Sequence, residues 1–239
     1  GATAGDLTGS RMNDILNQIG WPSSMRTINA GRTTLQADPG TTRTTLNALQ
    51  TVEESEYGAF YMDRVGYATF KDRNSLVEAT AKGPTTFADN GTLGAYPYFA
   101  VDFALDDTLI QNAVTITPAG MAPQYAEDSA SITQYFTHSV NRDNLLMDTT
   151  TDAAEQANAI VKARAYDELR IDSVSVVLND YPTSVYAVLG LEMLTNVRII
   201  QTAPGAQIDI TLLVHGISHD MRPGRWVTTF QTVEPVITG

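Results

Sequence analysis

The stretch from Thr45 to Arg73, TLNALQTVEESEYGAFYMDRVGYATFKDR, changes its apolar period from helical to alternating across one glycine, which narrows the folds open to the chain. Leu46, Leu49 and Val52 recur at three-residue spacing behind Thr41, Thr42, Thr44 and Thr45, which supply N-caps, so an amphipathic helix is expected. Gly58 stands where a left-handed C-cap is wanted. Beyond it Phe60 and Met62 alternate with Tyr61 and Asp63. After Arg64-Val65-Gly66 the alternation resumes, with Ala68 and Phe70 opposite Tyr67 and Thr69, which predicts a β-hairpin with glycine at the bulged position of its loop.

The flanking sequence gives an α+β pattern. Thr8 to Ile19 reads as a first helix, with Thr8 as N-cap, Met12, Ile15, Leu16 and Ile19 on one face, and Gly20-Trp21-Pro22 as its stop. GRTTLQADPG is expected to be a short strand or extended link. Lys82-Gly83-Pro84 and Asp89-Asn90-Gly91 break the pattern and mark an internal boundary. Strands are expected at Phe99 to Phe103 and Ala113 to Thr117, then a short helix capped by Asp128 and Ser129. A helix from Thr151 to Tyr166 follows, acidic at its start, basic at its end, with Ala153, Ala157, Ile160, Val161 and Ala165 on a small-residue face. From Arg170 onward the chain reads entirely as strands, with turns at 179–182, 204–205 and 223–224, which suggests a barrel or sandwich portion. Three lobes follow: 1–82 with two helices and a hairpin, 83–168 mixed, and 169–239 β-rich.

With 239 residues and 43% hydrophobic side chains the chain can bury a full core, and it has no run apolar enough to span a bilayer. Cysteine is absent, so disulfides and thiolate chemistry are excluded. The net charge of −12, from 15 Lys plus Arg against 27 Asp plus Glu, argues against gripping nucleic acid by neutralising phosphates. GATAGDLTG has neither an initiator methionine nor a signal peptide, so the chain reads as a portion of something longer.

Chemistry has few footholds. His215 and His219 have the spacing of two helical metal ligands, but in a strand they stand about 13 Å apart unless Gly216 bends it, and only Asp220 lies near as a third ligand. They read as ordinary strand and turn histidines, and His138 is isolated. Glu53, Glu54 and Glu56 cluster at a helix end with Asp63 beyond, and a carboxylate pair is what glycoside hydrolysis uses. The same carboxylates at a chain turn accept backbone hydrogen bonds and hold the junction, and that structural reading is preferred. Nucleophile-elbow, phosphate-loop and zinc-protease patterns are absent. No catalytic, cofactor or metal residue is assigned.

The order of Leu46-x-x-Leu49, Ser55-Glu56-x-Gly58, an aromatic pair, Asp63, a glycine turn and Phe70-x-Asp72-Arg73 resembles the minor tail proteins of long-tailed phages that infect actinobacteria. Leu7-Thr8-Gly9, Ile15-Leu16, Gly20-Trp21-Pro22 and Gly31-Arg32-Thr33-Thr34-Leu35 resemble that family's opening helix. His215-Gly216-Ile217-Ser218-His219, Pro223-Gly224, Trp226 and Thr228-Thr229-Phe230 resemble its closing hairpin. The resemblance implies a non-enzymatic baseplate hub at the virion's tail tip, three copies forming a ring of barrel-like domains that continue the tail tube and let DNA pass without tight binding. Its implied partners are further copies, the distal tail, tape-measure and tail-fibre proteins. The family's upstream β-rich domain has no counterpart here, and Arg64-Val65-Gly66 replaces a more typical Asp-Gly turn. Two alternatives are a receptor- or carbohydrate-binding module stacking sugars on Tyr96, Tyr98 or Trp226, and a cell-wall hydrolase using Glu53, Glu56 or Asp63.

Overall fold

The computed structural model describes residues 3–73, 84–104, 109–166, 170–179, 185–202 and 207–234. The turn residues expected at 82–83, 180–182 and 204–205 lie outside them. In chain order the elements are β1 (Asp6–Leu7), α1 (Thr8–Gln18), β2 (Arg26–Ile28), β3 (Thr34–Leu35), α2 (Thr45–Glu56), β4 (Ala59–Met62), β5 (Ala68–Lys71), β6 (Thr85–Ala88), β7 (Ala100–Ala104), β8 (Ala113–Pro118), β9 (Gln124–Glu127), α3 (Ser129–Tyr135), β10 (Ser139–Leu145), α4 (Thr150–Arg164), β11 (Arg170–Val177), α5 (Val185–Gly190), β12 (Asn196–Gln201), β13 (Ile208–Arg222) and β14 (Arg225–Val233). The class is α+β. The chain divides into two units. The first draws on residues 3–73 and 109–166, the second on 84–104, 170–179, 185–202 and 207–234.

In the first unit, α1 buries Met12, Ile15 and Leu16 against Ala48, Leu49 and Val52 of α2 and Phe70 of β5. α2 starts at Thr44, whose hydroxyl accepts the Asn47 N–H. Its inward face is centred on Val52, so Leu46, about 120° around the helix, is exposed rather than buried. Thr8 is the first residue of α1 and caps nothing, because the N-cap position is Leu7. The left-handed residue ending α2 is Tyr57 (φ 58°), not Gly58. Gly58 is required for a different reason: a Cβ there would lie 2.5 Å from the Lys71 carbonyl oxygen.

The expected hairpin forms as β4 against β5, with β2 added in parallel. Gly66 holds a φ of 89° in its loop, as the bulged position requires. A second layer of the same unit packs α4 onto the sheet β10-β8-β9, where Ala153 and Ala157 let the helix sit close to Val114, Ile116 and Leu145. The two layers are stitched by polar contacts across long stretches of sequence. The Leu146 N–H donates to Ser55 Oγ at 2.8 Å, and Gln36 Nε2 donates to the Ala119 and Met147 carbonyls at 2.9 and 2.8 Å.

The second unit is one six-stranded sheet, β6-β12-β13-β14-β11-β7, curled into a half-barrel. Phe87 on β6 and Phe230 on β14 lie three strands apart, about 14 Å in a flat sheet, yet their ring centroids are 6.0 Å apart. Curling brings them together around Val174, Val176, Val197, Ile199, Leu212 and Val214. The region read as entirely β contains a helix: α5 contributes Val188, and Leu191 beyond it joins the same core. A bulge places His215 as the extra residue between Val214 and Gly216, the bend anticipated at Gly216.

Candidate functional site

Three of the carboxylates singled out in the sequence, Glu53, Glu56 and Asp63, hold backbone. Glu56 is fully buried. Its Oε2 accepts from the Thr8 hydroxyl at 2.8 Å, the Thr33 N–H at 2.9 Å and the Arg32 N–H at 3.1 Å, while Oε1 accepts from Arg32 N–H at 3.2 Å and lies 3.9 Å from Arg73 Nε. Gly31 (φ 79°) lets the loop pass this node, since a Cβ there would fall 1.7 Å from Thr8 Oγ1. Glu53 Oε1 accepts the Phe60 N–H at 2.9 Å, and burial raises its pKa despite that bond, with Glu54 adding to the rise. Asp63 Oδ1 accepts the Val65 and Tyr67 N–H groups at 3.0 and 2.8 Å, closing the hairpin loop. The junction is thus a scaffold node, as the structural reading expects.

Two of the three histidines, His138 and His219, are also engaged, while His215 is exposed. His219 Nδ1 shares a 2.9 Å hydrogen bond with Thr228 Oγ1, and its ring meets Trp226 edge-on at 6.0 Å. His138 offers its N–H to the buried Asn112 Oδ1 at 2.7 Å. Among the described residues no group of three His, Asp or Glu side chains gathers to hold a metal. Tyr96, Tyr98 and Trp226 are half-buried and pack against the core of the half-barrel, so they offer no open stacking platform. Burial, then the Asp89 charge, pushes the Tyr98 phenol above its ordinary range.

The surface that stands out is the edge of the half-barrel. At one margin, β6 is covered by its own chain: the Ala88 N–H donates to the Tyr96 carbonyl at 2.9 Å and Tyr96 N–H to the Thr86 carbonyl at 2.8 Å. At the other, β7 pairs with β11 on one side only among the described strands. Phe103 is 40% and Phe99 62% exposed there, with the Arg225 guanidinium 5.2 Å over the Phe99 ring. A sheet edge without lysine, proline or bulk cover is a template for strand addition. The sequence shows these aromatics as part of a strand, and nothing in it marks that strand as the edge.

No protein-family model and no curated protein matches the chain. Solved structures do. The tail protein from Neisseria meningitidis MC58 superposes with a TM-score of 0.59 at 14% identity, covering 98% of this chain and 70% of that one. The 43 kDa tail protein of prophage MuSo2 from Shewanella oneidensis gives 0.59 at 13% identity, covering 98% and 66%. A chain in the virion of a native gene transfer agent particle gives 0.59 at 13% identity, covering 96% and 48%. This chain therefore spans between about half and 70% of the length of those neighbours. It has the fold of bacteriophage tail proteins.

Proposed function

We propose that the chain is a structural, non-enzymatic virion component: a hub at the tail tip that caps or continues the tail tube until DNA passes. In this reading several copies, three by the family resemblance, assemble beside the distal tail, tape-measure and tail-fibre proteins. The observation that supports it most is likeness along 98% of the chain to tail proteins, together with a neighbour in an assembled particle. The β7 edge, which has no second neighbour among the described strands, with Phe99 and Phe103 exposed, supports assembly by strand addition. A net charge of −12 suits a wall past which DNA slides, since like charge disfavours phosphate contact.

Gold-labelled antibody on purified particles tests the placement, with label expected at the distal end of the tail. Label spread along the tube, or none on particles, removes the hub assignment. F103K tests the edge: particles are expected to lack the protein while the purified variant melts at the wild-type temperature. Normal incorporation of that variant would rule out β7 as an assembly edge.

A further inference from the structure

The chain that covers β6 runs through an exposed turn. Beyond the strand, Asp89 accepts the Thr202 N–H and hydroxyl at 2.9 Å each, the chain reverses through Asn90-Gly91-Thr92, and Tyr96 returns beside Phe87. Asn90 is the one asparagine in the sequence followed by glycine, and residues 90–92 are all exposed. The Thr92 N–H and hydroxyl both donate to Asn90 Oδ1, at 3.1 and 2.5 Å. To reach an amide two residues ahead, the Asn90 side chain has to fold over its own peptide link to Gly91. Gly91 holds a left-handed φ of 68° and has no Cβ to crowd its nitrogen. Among the described residues its N–H donates to no backbone carbonyl.

We propose that Asn90 is a self-converting site whose product unlatches the cover over β6. The Gly91 nitrogen attacks Asn90 Cγ, a C–N bond forms, and the side-chain amide leaves with the Gly91 proton as ammonia, closing a succinimide. Water then opens the ring, its hydroxyl going to one carbonyl carbon and its proton to the nitrogen, to give aspartate or isoaspartate. Nothing is oxidised or reduced, and water is the only co-reactant. Negative charge develops on Oδ1 as the ring closes, where the two Thr92 donors already point, so the turn assists the step as an oxyanion hole does. Isoaspartate inserts a methylene into the main chain and makes the old side-chain carbonyl part of it, so the acceptor that Thr92 used is lost. The strap then loosens, the bonds from Ala88 N–H to the Tyr96 carbonyl and from Tyr96 N–H to the Thr86 carbonyl open, and the β6 margin becomes available for strand addition.

Holding the purified chain in neutral buffer, then digesting it and mapping the peptides by mass spectrometry with electron-transfer fragmentation, reads amide loss and isoaspartate at each asparagine. Conversion at Asn90 ahead of every other asparagine is the expected result. T92A removes the hydroxyl donor and should convert about fivefold more slowly in the folded chain, the kinetic equivalent of one neutral hydrogen bond. In guanidinium, where the turn is lost, T92A and the parent should convert at one rate. Hydrogen exchange at the Ala88 and Tyr96 amides should quicken in the converted chain. An Asn90 that stays intact in the folded chain while the guanidinium-unfolded chain converts, a folded T92A that converts as fast as the parent, or unchanged exchange at both amides after conversion would each overturn the proposal.

Discussion

Replacing Glu56 with glutamine tests whether the helix-to-hairpin junction is held as described. A glutamine that keeps its carbonyl oxygen at the Oε2 position retains the Thr8, Thr33 and Arg32 donors at 2.8, 2.9 and 3.1 Å, but as neutral rather than charge-assisted bonds. The difference is about 1 kcal/mol per bond, so three bonds give about 3 kcal/mol. Its amide group would also turn donors toward the Arg32 N–H and the Arg73 guanidinium, which sit 3.2 and 3.9 Å from Oε1. Alanine leaves all three donors and Arg73 unmatched, for a loss of about 5 kcal/mol. At about 2–4 °C per kcal/mol, E56Q should lower the melting temperature of the first unit by about 10 °C. The chain has two tryptophans, Trp21 in the first unit and Trp226 in the second, so guanidinium unfolding followed by Trp21 fluorescence in a W226F background reads the first unit alone. An E56Q curve within about 0.5 kcal/mol of the parent would refute the node, because a solvated helix carboxylate behaves in that way.

Other outcomes follow from close contacts and buried polar groups. G58A sets a Cβ 2.5 Å from the Lys71 carbonyl oxygen and should cost about 2 kcal/mol or more in thermal unfolding, whereas G120A, with nothing within 4 Å of its Cβ, carries only backbone strain and should cost less. N112A removes a buried amide that donates to Ser131 Oγ and the Phe136 carbonyl and accepts the His138 N–H; about 3 kcal/mol lost in denaturant unfolding is expected. Burial holds the Glu53 pKa above its ordinary value, so the folded state keeps that proton more tightly and ionisation costs stability as pH rises through the folded pKa. E53Q should therefore be more stable than the parent at pH 7, with the advantage fading toward about pH 4, and an advantage that grows on acidification would contradict the assignment.

The helix-hairpin switch was legible because its period changes within one segment, and the Asp128 cap because a side-chain acceptor sits three residues before its donor, Ser131. α4 was legible from charge at both ends over a small-residue face. Thr85–Ala88, Gln124–Glu127 and Ser139–Leu145 were missed as strands because what makes them strands is a partner elsewhere. β6 pairs in parallel with β12, more than a hundred residues on, and the polar β10 pairs in parallel with β8. The same holds for the junction. The acidic cluster suggested a structural role for Glu56, but its donors at Arg32 and Thr33 lie 24 and 23 positions away and only the folded loop around Gly31 brings them in. Arg11, beside Met12 on a helix whose exposed face is polar, gave no sign of being buried.

The interleaving of the two units sets an order on their maturation. The first unit needs Ser55 to meet Leu146 and Gln36 to meet Met147, so it cannot close until α4 has left the ribosome. By then β6 and β7 have been synthesised, and each still lacks its sheet neighbour, β12 or β11. For the span between, two strands carrying Phe87 and Phe103, with Phe99 just before the second, wait in solution. A nascent chain of this design is exposed to mispairing with its siblings on the same polysome, and faster elongation through that stage or a holding chaperone should raise the yield of soluble protein.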